Sequence, residues 1–238
     1  MQMKTYFFLL CSITMVSACI HMGERVDGNG NMKSEKRTVS TAERMKVLGD
    51  MDVYVEKGPT SVRVEADENI LPYIETSMND GWLEIRTRDG INLNSKDPIK
   101  VYVSTPEVSG LTVAGSGTIE SKDEFSTSHD MEFDISGSGD ITAVIHSPRV
   151  ESHISGSGNL HVSGETKDVE IHISGSGNYD GPGLKAENAE VSIAGSGDAN
   201  LFADERLKAS IAGSGDVRYQ GNATVDSHIS GSGSVTKN

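Results

Sequence analysis

A chain of 238 residues with 35 acidic against 21 basic side chains carries a formal net charge of −14. Such a surface repels phosphate backbones and anionic head groups, so nucleic acid is excluded as the expected partner. Aromatic residues are sparse at 5%, and two cysteines leave no disulfide framework.

The first element is a leader. Lys4 supplies a short basic region, Thr5 to Val16 an apolar one, and Val16-Ser17-Ala18-Cys19 a small-residue cut site. The apolar stretch is shorter than the ~20 residues of a membrane span. The V-S-A-C sequence resembles the bacterial lipobox, which implies removal of residues 1–18 and diacylglyceryl attachment to the Cys19 sulfur. Cys11 leaves with the leader, so Cys19 is the single mature cysteine, and loss of Lys4 takes the net charge to −15. Residues 19–38 read as the lipidated cysteine and a flexible tether, polar and without periodicity, reaching roughly 24 Å. No later apolar run is long enough to span a bilayer, so the lipid is the expected membrane contact.

Residues 39–113 alternate like strands. Val47, Gly49, Met51, Val53 and Val55 share one parity, and Ser61 to Ala66, Trp82 to Thr87 and Ile99 to Ser104 follow the same rule. Gly49-Asp50-Met51 looks like a degraded copy of the Gly-Asp-apolar step in the later rungs. This half is expected to form irregular early rungs or a capping sheet, with a short helix or loop within residues 66–79.

Gly-Ser-Gly then begins at Gly115, Gly137, Gly156, Gly175, Gly195, Gly213 and Gly231, at intervals of 22, 19, 19, 20, 18 and 18 residues. The residue two before each first glycine is Val113, Ile135, Ile154, Ile173, Ile193, Ile211 and Ile229. The residue after each motif is Thr118, Asp140, Asn159, Asn178, Asp198, Asp216 and Ser234. A repeat with such fixed chemistry in each column is one structural unit stacked on itself. β-branched alternation makes the unit a strand pair or triplet, and paired glycines permit a sharp corner. The expected fold is all-β, a single-domain parallel β-helix (a β-solenoid) over residues 39–238, with a repeat stack of roughly 29 Å. Glycine density and the missing helical period exclude helix from 107 onward.

Two outward columns run beside the isoleucine ladder. Five residues before each motif stand Gly110, Glu132, Glu151, Glu170, Glu190, Lys208 and Asp226; three before stand Thr112, Asp134, His153, His172, Ser192, Ser210 and His228. Stacked glutamates ~5 Å apart repel one another unless screened, titrated or bridged. The patch Glu132, Asp134, Glu151, His153, Glu170 and His172 is therefore a candidate face for a divalent cation or a basic partner group. Its competing reading is a solvated charged face. Trp82, Tyr54, Tyr73 and Tyr102 are the alternative place for glycan stacking, against interior or cap packing.

The lipobox, the alternation from Val47 to Val55 and the repeated apolar-x-apolar-Ser-Gly-Ser-Gly-Asp/Asn frame together resemble the family "putative auto-transporter adhesin, head GIN domain", over residues 39–236. The resemblance implies a β-helical envelope protein and suggests adhesion; it brings no catalytic motif. Ile20-His21-Met22-Gly23 after Cys19 leaves surface and periplasmic orientations both open.

The expected function is thus non-catalytic: an adhesion or ligand-binding module for glycan or protein on a lipid-anchored envelope protein, expected at the outer membrane. The alternatives are a periplasm-facing scaffold for other envelope proteins and a polysaccharide-active enzyme. Seven Gly-Ser-Gly copies argue for structure, since catalysis needs one serine, and their spacing is not that of a nucleophile elbow. No cofactor or metal is assigned. Exposed final rungs around Ser227 to Asn238 suggest weak self-association.

Overall fold

The computed structural model describes residues 23–238; the leader and Cys19 lie outside the described residues. The polypeptide is nearly all β, wound as a single-domain β-solenoid of about 6 turns. Nine strands build its first part: β1 (Glu24–Asp27), β2 (Met32–Arg37), β3 (Arg44–Gly49), β4 (Asp52–Lys57), β5 (Ser61–Asp67), β6 (Ile74–Asn79), β7 (Trp82–Thr87), β8 (Ile91–Asn94) and β9 (Lys100–Thr105). The repeats follow as β10 (Gly110–Gly115), β11 (Thr118–Ser126), β12 (Met131–Gly137), β13 (Asp140–Gly156), β14 (Asn159–Gly175) and β15 (Asn178–Gly195). The stack ends with β16 (Ala199–Phe202), β17 (Arg206–Gly213), β18 (Asp216–Gln220), β19 (Thr224–Gly231) and β20 (Ser234–Lys237).

Each turn has two faces joined by two corners. The face preceding the Gly-Ser-Gly corner stacks β3, β10, β12, the second halves of β13, β14 and β15, then β17 and β19, all parallel and in register. The face following it stacks β4, β11, the first halves of β13 to β15, then β16, β18 and β20. The inward column Val47, Val113, Ile135, Ile154, Ile173, Ile193 and Ile211 is at most 2% exposed throughout. Burying each such side chain contributes about 1.5–3 kcal/mol, so this ladder is a principal source of cohesion.

The Gly-Ser-Gly corner is fixed by backbone contact. Gly156 has φ +121°, and a β-carbon at Gly158 would lie 2.2 Å from the Gly139 carbonyl oxygen and 2.5 Å from Ile135 Cγ2. The corner is therefore packed under the isoleucine of the preceding turn, with no room for a side chain. The Ser157 N–H donates to the Gly137 carbonyl, and the Ser176 N–H to the Gly156 carbonyl, both at 2.8 Å. Gly49 belongs to this series as its first glycine, not as the glycine of the expected Gly-Asp-apolar step: its φ is +121°, it pairs with Gly115 while Asp52 pairs with Thr118, and its carbonyl accepts from the Ser116 N–H at 3.0 Å. Met51, 2% exposed, stands where the later turns carry the second glycine. The second corner uses inward hydroxyls: Ser147 Oγ donates to the Arg149 carbonyl (3.0 Å) and Thr166 Oγ1 to the Asp168 carbonyl (3.1 Å).

Asp and Asn after the corner form a ladder. Asn159 Nδ2 donates to Asp140 Oδ1 at 2.8 Å, Asn178 Nδ2 to Asn159 Oδ1 at 2.9 Å, and the Asp216 N–H to Asp198 Oδ1 at 2.9 Å. Each side chain bonds its equivalent one turn away, rather than its own backbone.

The first part supplies both early turns and a cap. β7 and β9 continue the parallel stacks of β3 and β4, and then antiparallel strands close each face: β6 on β7, and β5 followed by β2 on β9. Residues 66–79 hold the expected short helix as a single 3-10 turn, Leu71–Tyr73, followed by the strand β6, which the sequence reading did not place. One expectation is corrected here. The stretch 20–38, expected as a tether, contains β1 paired with β8 and β2 paired with β5. Backbone pairing, not apolar alternation, orders β2, whose sequence Met-Lys-Ser-Glu-Lys-Arg offers no apolar face. The buried Asp67 carboxylate secures this region by accepting from the Gly30 N–H, from Ser95 Oγ (2.7 Å) and from the Lys96 N–H (3.2 Å). Burial pushes Asp67 up, but these three donors and the Lys96 charge outweigh it and hold the carboxyl below the usual carboxylate range.

Candidate functional site

Strand register assembles the candidate face. Glu132, Glu151, Glu170, Glu190 and Lys208 stand opposite one another on successive strands, as do Asp134, His153, His172 and Ser192. Extended back toward the cap, the first column continues through Gly110 and Arg44. Trp82 precedes Leu83, the partner of Met45, and its ring lies 4.0 Å from the Arg44 guanidinium carbon. The six expected residues therefore share one side of one sheet, because the two columns differ by two positions on every strand.

Three glutamates of the ladder have an Arg or Lys partner, and Glu151 has His153. Arg44 reaches over Gly110 to Glu132 at 2.5 Å, and Lys208 Nζ contacts Glu190 at 2.6 Å. Glu151 takes His153 Nε2 at 2.9 Å; Glu170 takes His172 Nε2 at 2.8 Å and Arg149 Nη2. The two imidazoles stack with centroids 4.9 Å apart and planes 6° from parallel. The hydrogen bond from His172 holds Glu170 below the usual carboxylate range; burial opposes this, and the Arg149 charge reinforces it. Asp134 behaves oppositely: burial pushes it up, Glu132 adds to this, and the charges of His153 and Lys46 oppose it.

Repulsion between bare glutamates is thus relieved inside the molecule. Lys208 follows Glu190 in the column, but two partners are not sequence neighbours of the ladder: Arg44 lies 88 residues from Glu132, and Arg149 reaches across to the next turn. The only signal was a third outward column, in which Arg149 stands opposite Asp168, Asn188 and Arg206. No group of three or more His, Cys, Asp or Glu side chains is arranged to hold a metal ion among the described residues. The face is flanked by two shallow grooves. One of about 410 Å3 lies against Arg44, His129, Asp130, Glu132 and Glu151; the other, of about 340 Å3, lies against Arg149, Glu170, Glu190, Arg206 and Lys208.

Tyr54, Tyr73, Trp82 and Tyr102 each carry an intramolecular partner on the ring. The rings of Tyr54 and Tyr102 stack at 5.4 Å, with Lys122 at 4.6 Å from the first and the Arg63 guanidinium at 3.8 Å from the second. Trp82 is covered by Arg44, and Arg88 lies 5.5 Å from the Tyr73 ring. These are intramolecular cation–π pairs that tie the cap to the first turns. A cleft of about 630 Å3 beside the cap was not anticipated; Asp50, Asp52, Ile91, Leu93, Asp97 and Ile99 line it.

Solved structures with this architecture include proteins from Bacteroides and Parabacteroides species. A protein from Bacteroides fragilis described as a putative adhesin is 18% identical, with TM-score 0.83, covering 90% of this chain and 100% of its own. A Parabacteroides distasonis protein described as a putative lipid binding protein is 25% identical, with TM-score 0.75 and the same coverage of 90% and 100%. A further Parabacteroides distasonis protein, described as a putative adhesin, is 23% identical at TM-score 0.73 and covers 90% and 100%. No curated protein matches the sequence. A family profile matches residues 43–223, most of the solenoid and its cap. The chain belongs to the family described as "putative auto-transporter adhesin, head GIN domain".

Proposed function

We propose that this protein is a non-catalytic recognition module of the bacterial cell envelope, anchored through a lipid on Cys19. The observation that carries this reading is the register of Glu132, Glu151 and Glu170 beside Asp134, His153 and His172. Such an array presents acceptors at the ~4.8 Å strand spacing along a flat wall, where an extended partner with basic groups meets several at once. A glycan would engage the same wall through a bridging divalent cation. Internal pairs with Arg44, Arg149 and Lys208 hold Glu132, Glu170 and Glu190 in place, which reduces the ordering cost of binding, while Asp134 and Glu151, with no Lys or Arg partner among the described ion pairs, keep the wall acidic. The chemistry of the face supports binding over turnover: its carboxylates are engaged with Arg, Lys and His, and no serine of the Gly-Ser-Gly corners has a base beside it among the described hydrogen bonds.

A binding screen of residues 23–238 against glycans and matrix proteins, run with Ca²⁺ and again with EDTA, tests this. Saturable binding supports the module, and its loss in EDTA assigns a bridging cation to the face. A folded protein that binds nothing in either condition overturns the reading and favours a periplasm-facing scaffold.

A further inference from the structure

The two ends of the solenoid differ in their strand chemistry. At the capped end the outermost strands run antiparallel, and β2 lines its edge with Lys33, Glu35, Lys36 and Arg37. Charged edges of this kind oppose pairing with another chain. At the far end β19 pairs with β17 and β20 with β18, and no further strand covers either among the described residues. The inward column emerges there: Ile211 is 1% exposed, whereas Ile229 is 39% and Val225 36% exposed. Charge thins out at the same place. In a chain of net charge −14, residues 221–238 contain Asp226 and Lys237 as their only acidic and basic side chains.

We propose that this rung joins a second copy of the chain tip to tip, the two β19 edges running antiparallel about a two-fold axis at Ser227. In that register Asp226 faces the partner's His228 and Val225 faces the partner's Ile229, and the two-fold repeats each pair. Asp226 and His228 share the outward parity of the strand, and Val225 and Ile229 the inward one, so both faces of the sheet continue across the junction. Sliding the edge two residues one way sets Asp226 against its own counterpart, and the other way His228 against its own. A one-residue slip mixes inward and outward side chains. The pairing of a carboxylate acceptor with an imidazole donor therefore selects one register, and the unlike, charged cap stops growth at two copies.

Sedimentation velocity of residues 23–238, from micromolar to millimolar concentration, reads the association directly. Asp226→His and His228→Asp each place like groups opposite one another twice, and each is expected to weaken dimerisation about tenfold. The double exchange Asp226→His/His228→Asp restores complementarity in the same register and is expected to recover wild-type affinity. Circular dichroism shows whether each variant keeps its fold; all the changed groups are exposed. A monomer at every concentration, open-ended polymers, or a double exchange as weak as the single ones would each overturn the proposal.

Discussion

His153 and His172 stack one turn apart at 4.9 Å, and each directs Nε2 to the glutamate two residues earlier on its own strand. The motif is a repeated Glu-x-His unit stacked on itself, and its consequence for Glu170 is measurable. Because His172 holds the Glu170 carboxyl low, the ionised form is stabilised by folding. That contribution is full above the ordinary value of 4.5 and is lost as pH falls through the depressed value. His172→Phe keeps a stacking ring and removes the donor, so the Glu170 titration midpoint should move up by NMR. Urea unfolding of the variant should then depend less steeply on pH below about 5 than that of wild type. An unmoved midpoint would mean that Arg149 alone sets Glu170.

Corner packing gives a second expectation. Gly158→Ala forces a β-carbon against the Gly139 carbonyl and Ile135, and should cost about 1–3 kcal/mol. Gly81 has φ +81° and open space within 4 Å of where a β-carbon would stand, so Gly81→Ala meets backbone strain alone, about 1 kcal/mol. Thermal melting should therefore rank Gly158→Ala below Gly81→Ala. Equal melting temperatures would remove the packing argument for the fixed frame of the repeat.

The Asp/Asn ladder predicts a pH-sensitive defect. In Asn159→Asp the donor to Asp140 is lost and two carboxylates face each other one turn apart. The variant should lose about 1–2 kcal/mol near pH 7 and regain part of it toward pH 4, as one carboxylate takes a proton. Chemical unfolding at the two pH values distinguishes this from a defect independent of charge.

Asp67 fastens the first strands to the cap. Asp67→Ala leaves the Gly30 and Lys96 N–H groups without their carboxylate acceptor, at about 1–3 kcal/mol. Hydrogen exchange should accelerate in β1, β2 and the Ser95–Lys96 loop while β13 to β15 stay protected. In the wild type the same region should loosen first on acidification, since stability from a carboxyl held low is lost as pH falls through its depressed value.

The solenoid was legible because its columns are chemically pure: isoleucine inward, two glycines at the corner, Asp or Asn after it. Gly49 is recognisable as a corner glycine, but its register is masked: Asp50 after it imitates the Gly-Asp-apolar step, whereas Asp52 is the residue that pairs with Thr118. β2 was not legible, since an alternation of Lys, Ser, Glu and Arg carries no apolar signal and the strand is ordered by its antiparallel bonds to β5. Register alone made Glu132, Asp134, Glu151, His153, Glu170 and His172 neighbours, so sequence spacing sufficed to find them. Compensation of Glu132 by Arg44 and of Glu170 by Arg149 is hidden, because it depends on side-chain reach across turns and, for Arg44, on the bare Gly110 between it and Glu132, whereas Lys208 follows Glu190 in the column itself.

Whether the Glu/His wall is the recognition surface is tested most directly with the ligand recovered by the binding screen, by measuring its affinity for the double charge reversal Glu151→Lys/Glu170→Lys. Asp180→Lys, on the opposite face beside His161 and Asn200, serves as the control. Binding should collapse in the wall variant and persist in the control, with both proteins folded. Undiminished binding by the wall variant, or equal loss in both, would contradict the assignment of the wall.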